Sequence, residues 1–189
     1  AKRFIVVNKR FEEFKNKIIN LVKNLKIGDP LDKTTDMGPL VNKQQLLVLE
    51  DQLKRSVKQR AKILIGGKKI NRKGFFFEPT LVEAKNNMVI IKEETFGPLM
   101  PIIKVKNEDE AIKEANNSEF GLAASIWTRD LEKGERLARK IEAGVVFVNG
   151  QVKSDPRLPF GGVKKSGIGR ELSRYGLLEF CNIKSIVIN

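Results

Sequence analysis

PIIKVKNEDEAIKEANNSEFGLAASIWTRDLEKGERLARKIEAGVVFV, residues 101 to 148, decides the fold class. Three short apolar runs, Pro101 to Val105, Ala124 to Trp127 and Val145 to Val148, read as strands. The charged segments between them, Glu108 to Asn116 and Leu131 to Ile141, read as helices. Strands separated by helices of this length need crossover connections, so at least part of the sheet is parallel, with helices packed on both faces. The expected class is α/β.

Upstream the alternation continues. Phe4 to Val7 predicts a strand, and Phe11, Phe14, Ile18, Leu21, Val22 and Leu25 follow at helical spacing. Gly28 to Pro39 is dense in turn formers and predicts a long ordered loop. Asn42 is an N-cap candidate for a second helix marked by Leu46, Leu49, Leu53 and Val57, which gives way to a strand at Ile63-Leu64-Ile65. Phe75 to Val82 predicts another strand. Beyond Asn149 come a polar loop, the glycines Gly161 and Gly162, a short helix from Arg170 to Phe180, and a last strand from Ile183 to Ile188. That strand has no following partner, so it requires a sheet edge to join, such as one on another subunit.

Composition excludes several classes. At 189 residues with 41% apolar and 31% charged residues, the chain has the mixture of a folded globular protein. No apolar run approaches the ~18 residues needed to cross a bilayer, and Ala1-Lys2-Arg3 leads into a strand and not a signal-peptide core. The expectation is a soluble, cytoplasmic protein without a membrane partner. A single cysteine, Cys181, rules out an internal disulfide, and the absence of histidine rules out Ser-His or Cys-His catalysis and the commonest metal ligand. The net charge of +13 is spread along helix faces interleaved with Glu, which argues against a nucleic-acid partner.

Three phrases, in order and widely separated, resemble the aldehyde dehydrogenase family: Lys92-Glu93-Glu94-Thr95-Phe96-Gly97-Pro98, Asn116 to Ala123, and Pro159-Phe160-Gly161-Gly162 through Gly169-Arg170-Glu171. The loop Gly28 to Leu40 fits as well, so the resemblance covers essentially the whole chain, and it is strongest to the family's succinate-semialdehyde branch. It implies a catalytic-domain portion over 1–149, a substrate-tunnel loop and helix over 150–180, and an oligomerisation strand over 181–189. It also implies thiolate attack on the aldehyde, hydride transfer to NAD or NADP, and thioester hydrolysis. The family's nucleophilic cysteine, its general-base glutamate and its dinucleotide-binding domain precede the segment that Ala1 to Val6 resembles. No catalytic residue is therefore assigned within the chain, and the choice between NAD and NADP is not readable.

By the same resemblance, Glu94 accepts hydrogen bonds from the hydroxyls of the nicotinamide-side ribose, and Phe96 packs beside that ribose. The short stretch by itself favours a surface carboxylate and a core ring. Ser154 falls where the family's succinate-semialdehyde enzymes carry a serine able to bind a carboxylate tail, and Phe160 matches a ring of the substrate tunnel. Lys153 and Arg157 read more readily as solvated loop charges than as substrate contacts. Gly161, Gly162, Gly167 and Gly169 lack the spacing of a phosphate-cradling loop. Cys181 is expected to be a small packed thiol and not a nucleophile. Two functions stand at this point: part of an enzyme oxidising a carboxylate-bearing aldehyde, or an inactive domain or interaction subunit needing a separate amino-terminal half.

Overall fold

The computed structural model describes residues 1–189, which divide into two compact units, Ala1–Ala111 and Ile112–Asn189. The first contains strand β1 (Phe4–Val7), helices α1 (Asn8–Asn24) and α2 (Lys43–Lys58), strands β2 (Lys62–Ile65) and β3 (Thr80–Glu83), helix α3 (Val89–Lys92) and strand β4 (Leu99–Val105). The sheet order is β1-β4-β3-β2. β4 runs parallel to both β1 and β3, and β2 is antiparallel to β3, which gives the partly parallel sheet expected from the alternation.

Side-chain alternation divides this sheet between two cores. Leu81 and Ile102 face Phe11 of α1, with Phe14 and Ile18 packed around them. Their neighbours Val82 and Ile103 point the other way, against Leu46, Leu49 and Leu53 of α2 and Ile90 and Ile91 of α3. Both faces are thus covered, and β4 reads as a nearly continuous apolar run because of it. Asn42 caps α2 as its sequence position suggested, its side chain accepting from the Gln45 amide at 2.8 Å.

Two strands differ from expectation. The segment predicted as a strand from Phe75 joins the main sheet only at Thr80, after Pro79. Residues 75–78 pair instead with loop backbone: Leu40 N donates to Phe75 O, Ile70 N to Phe76 O and Glu78 N to Lys68 O. β4 begins at Leu99, two residues before the expected Pro101. The carbonyls of Pro98 and Ile102 accept from β3, so the odd-numbered residues of β4 face β1. That partner begins only opposite Ile102, so the N–H that Pro101 lacks has no acceptor to miss.

Helix α4 (Glu108–Asn116) spans the boundary between the units. The second unit contains β5 (Phe120–Gly121), β6 (Ala123–Ile126), α5 (Leu131–Ala138), β7 (Val145–Val148), β8 (Val163–Lys164) and α6 (Ser173–Leu178). β6 and β7 form a parallel pair across the α5 crossover, and β5 pairs antiparallel with β8. α5 stops short of Ile141 and finishes in tight turns, with Lys140 N bonded to Leu137 O and Ile141 N to Ala138 O. α6 is shorter than expected because Glu171 is tied to Phe160 by two backbone hydrogen bonds, and Leu172 and Ser173 take positive φ angles of 62° and 55°. The segment Ile183 to Ile188 forms no strand: it has no ladder partner within the chain, and Ile183, Val187 and Ile188 are more than four-fifths exposed. Cys181 is likewise exposed and not packed, because the residues around it lack a covering layer. No helix is long and apolar enough to cross a membrane.

Candidate functional site

The connection from α3 to β4 carries Glu94 and Phe96. Both flanks are anchored in the core by Ile90, Ile91 and Leu99, and α3 is docked on α2 by hydrogen bonds. Ser56 Oγ accepts from Ile90 N at 2.9 Å, and Gln59 Oε1 accepts from Val89 N at 2.8 Å. A turn held between such flanks has few places to go.

Three α2 side chains then fix the turn itself. Gln45 Nε2 donates to Phe96 O at 2.7 Å, and Gln52 Nε2 to Glu94 O at 3.1 Å. Arg55 donates from both terminal nitrogens to the two carboxylate oxygens of Glu93, each at 2.7 Å. Their spacing of seven and then three residues places them along one face of the helix. From another direction the Lys2 ammonium donates to Ile90 O at 2.6 Å, to Glu93 O, and to Thr95 Oγ1 at 3.3 Å. Gly97 closes the turn, since a Cβ there would collide with Leu49.

The electrostatics follow from these contacts. Arg55, by its hydrogen bonds, holds the Glu93 carboxyl below its ordinary range, with Gln52 and the charges of Arg55 and Lys2 acting in the same direction. Burial lowers the Lys2 ammonium to about 8, helped by neighbouring Arg3 and opposed by Glu94 and Glu93. With its backbone taken up from inside, the turn presents the other side chains outward. Glu94 is exposed, and Phe96 is 70% exposed, so it is not part of the core of this chain. An open carboxylate beside an open aromatic ring can accept from a pair of hydroxyls while giving the ligand an apolar surface.

Ser154 and Phe160 belong to the second unit. Ser154 is exposed in an irregular stretch, and Phe160 is half-buried and held by its paired hydrogen bonds to Glu171, both 2.8 Å. Arg157 is committed elsewhere: its guanidinium grips Asp155 at 2.9 and 2.6 Å and holds that carboxyl far below its ordinary range. Its charge is therefore largely answered within the loop. The glycine-rich stretch closes on itself, Arg170 Nη1 donating to Gly162 O at 3.0 Å and Gly169 O at 2.6 Å. A shallow depression in this unit, lined by Arg170, Tyr175, Leu178, Glu179 and Cys181, contains neither Ser154 nor Phe160. Cys181 has its thiol directed to Leu177 O at 3.4 Å.

Sequence reasoning missed the supports: Lys2, Gln45, Gln52 and Arg55. The one available signal was the amide of Gln52 between Leu49 and Leu53, on the side of α2 that carries the core residues; it is only 3% exposed.

The chain is similar to several known proteins. A succinate-semialdehyde dehydrogenase (NADP(+)) 1 of Mycobacterium tuberculosis (strain ATCC 25618 / H37Rv) is 43% identical over 189 residues, covering 100% of this chain and 41% of that protein. A cytosolic 10-formyltetrahydrofolate dehydrogenase of Xenopus tropicalis is 44% identical over 191 residues, covering 100% of this chain and 21% of that protein. The crystal structure of succinic semialdehyde dehydrogenase from Streptococcus pyogenes in complex with NADP+ superposes with a TM-score of 0.94 at 40% identity, covering 98% of this chain and 41% of that one. Betaine aldehyde dehydrogenase from Staphylococcus aureus in complex with NAD+ gives 0.91 at 36%, covering 95% and 37%. The chain spans about two fifths of the length of the succinate-semialdehyde relatives it matches. The sequence profile of the aldehyde dehydrogenase family, finally, matches residues 1–186, and the chain belongs to that family.

Proposed function

We propose that this chain forms the ribose-holding and substrate-facing part of an NAD- or NADP-dependent dehydrogenase that oxidises succinate semialdehyde to succinate. The observation that carries the reading is the outward pair Glu94 and Phe96 on a turn whose backbone is held by α2 and Lys2. The dinucleotide, when bound, supplies the hydride acceptor. Glu94 accepts from the two ribose hydroxyls and fixes their orientation, and Phe96 excludes water from one side of the sugar. Ser154 donates its hydroxyl to the carboxylate of the aldehyde, and Phe160 walls the approach. The substrate assignment rests on Ser154, because relatives with different names match this chain at nearly equal identity, 43% and 44%.

The thiol that would form the thioester is supplied from outside these residues. Cys181 is a poor candidate: the chain has no histidine to act as its base, and its S–H is spent on a main-chain carbonyl. A second reading, an interaction subunit without turnover of its own, draws on the exposed apolar stretch at Ile183, Ile186, Val187 and Ile188. A homo-oligomer using that stretch is compatible with either reading.

The test is reduction of NAD and NADP with succinate semialdehyde, by the chain alone and with a separately expressed amino-terminal half carrying the cysteine. Turnover only in the mixture supports the dehydrogenase. Turnover by the chain alone would overturn the external thiol, and silence in both would leave the interaction subunit.

A further inference from the structure

The turn between α3 and β4 is gripped from two directions in alternation. Carbonyls of the even residues, Glu94 and Phe96, are taken by Gln52 and Gln45 of α2. The odd residues are taken by one ammonium: Lys2 donates to the Glu93 carbonyl and the Thr95 hydroxyl, and its third donor goes to Ile90 O at the root of the turn. Lys2 therefore spans the turn on which Glu94 stands, and it comes from the segment before β1, some ninety residues away in sequence.

We infer that Lys2 is a positioning residue for the cofactor site, holding the Glu93–Thr95 backbone so that the Glu94 carboxylate meets both ribose hydroxyls. The inference rests on the reading of Glu94 given above. A lysine kept only for solubility would leave its ammonium in water. Here the ammonium is half-buried among main-chain oxygens, with Arg3 beside it and Glu93 and Glu94 facing it, while Arg55 partly answers the Glu93 charge. The ammonium has three protons for three acceptors. Burial brings its deprotonation to about pH 8, where one of the three donors and the charge are lost together.

The test uses the complete dehydrogenase formed with the amino-terminal half, and reads dissociation constants for the dinucleotide and for AMP by calorimetry. Lys2→Met keeps the stem and removes the donors. It is expected to weaken dinucleotide binding about tenfold, the scale of a lost hydrogen bond to a charged group, and to leave AMP unchanged, since AMP lacks the ribose that Glu94 holds. The unaltered protein should bind the dinucleotide more weakly as pH rises through about 8, and Lys2→Met should lose that dependence. Thr95→Val, which deletes one acceptor at constant shape, should act in the same direction more weakly and serves if Lys2→Met does not fold. In Glu94→Gln, the further change Lys2→Met should add nothing.

Unaltered dinucleotide binding in Lys2→Met, or an equal loss for AMP, would overturn the positioning role while Glu94→Gln still weakens binding. A neutral Glu94→Gln would instead remove the reading of Glu94 itself, and the positioning role with it.

Discussion

Gly97→Ala tests whether the turn has the single geometry that the site requires. A Cβ at Gly97 would strike Leu49, and it would also come within 3.2 Å of Leu40 Cδ2. Leu49 has no solvent exposure and sits among the buried residues Leu46, Leu53 and Leu99, so in a close-packed core it can move only by displacing them. Overpacking at such a place costs ~1–3 kcal/mol. Removing the obstruction by Leu49→Ala should cost ~2–5 kcal/mol by itself, through the cavity it leaves. In the double variant the new methyl enters that cavity, so its cost should fall short of the sum of the two single costs by ~0.5–3 kcal/mol. Urea titration monitored by far-ultraviolet circular dichroism measures this, as a shift in midpoint at constant slope. Fluorescence is the wrong probe, because the sole tryptophan, Trp127, lies in the other unit. Gly97→Ala should also weaken dinucleotide binding by displacing Phe96. A neutral single substitution, or costs that add within ~0.5 kcal/mol, would show that the turn yields freely and that its close packing is not what orients Glu94 and Phe96.

Other expectations follow from individual contacts. Asn42→Ala removes the acceptor for Gln45 N and should destabilise α2 by ~1 kcal/mol in the same titration. Because the Glu93 carboxyl is held below its ordinary range, its pairing contributes stability above about pH 4.3 that is lost as pH falls through the lowered value; Arg55→Met should flatten the acid limb of a stability-against-pH curve. Ser154→Ala should raise KM for succinate semialdehyde about tenfold and leave an uncharged four-carbon aldehyde little changed, as steady-state rates of the complete enzyme will show. Ile186→Asp, on the exposed terminal stretch, should reduce the assembly mass measured by light scattering if that stretch pairs with another copy.

The fold was legible where burial on both faces wrote itself as an uninterrupted apolar run. β4 is such a place; β1, β6 and β7 are only half-buried but are also short apolar runs, and the helices between them follow from period and charge. It was less legible where backbone partners are not strands. Phe76 and Phe77 look like strand residues because they are buried, yet their backbone pairs with a loop near Lys68 and Ile70, a partner no local pattern announces. The terminal stretch shows the converse. Its alternation from Ile183 to Ile188 specifies a strand, but strand geometry needs a neighbouring edge, and the stretch pairs with none in this chain.

Glu94 and Phe96 are singled out only by the family phrase that contains them, since their local chemistry reads as a surface charge and a core ring. Phe96 is 70% exposed in this chain, and the structure gives a reason for that exposure. The carbonyls of residues 94 and 96 are drawn inward to Gln52 and Gln45, and the side chains of those same residues are left facing out. An apolar ring held in water by hydrogen bonds to its own backbone is stable only because α2 compensates for it, and α2 in turn is fixed by Leu49 and Ser56 in the core. Core substitutions on that face of α2 should therefore alter cofactor affinity without touching a cofactor contact, and substitutions on the α1 face of the same sheet should not.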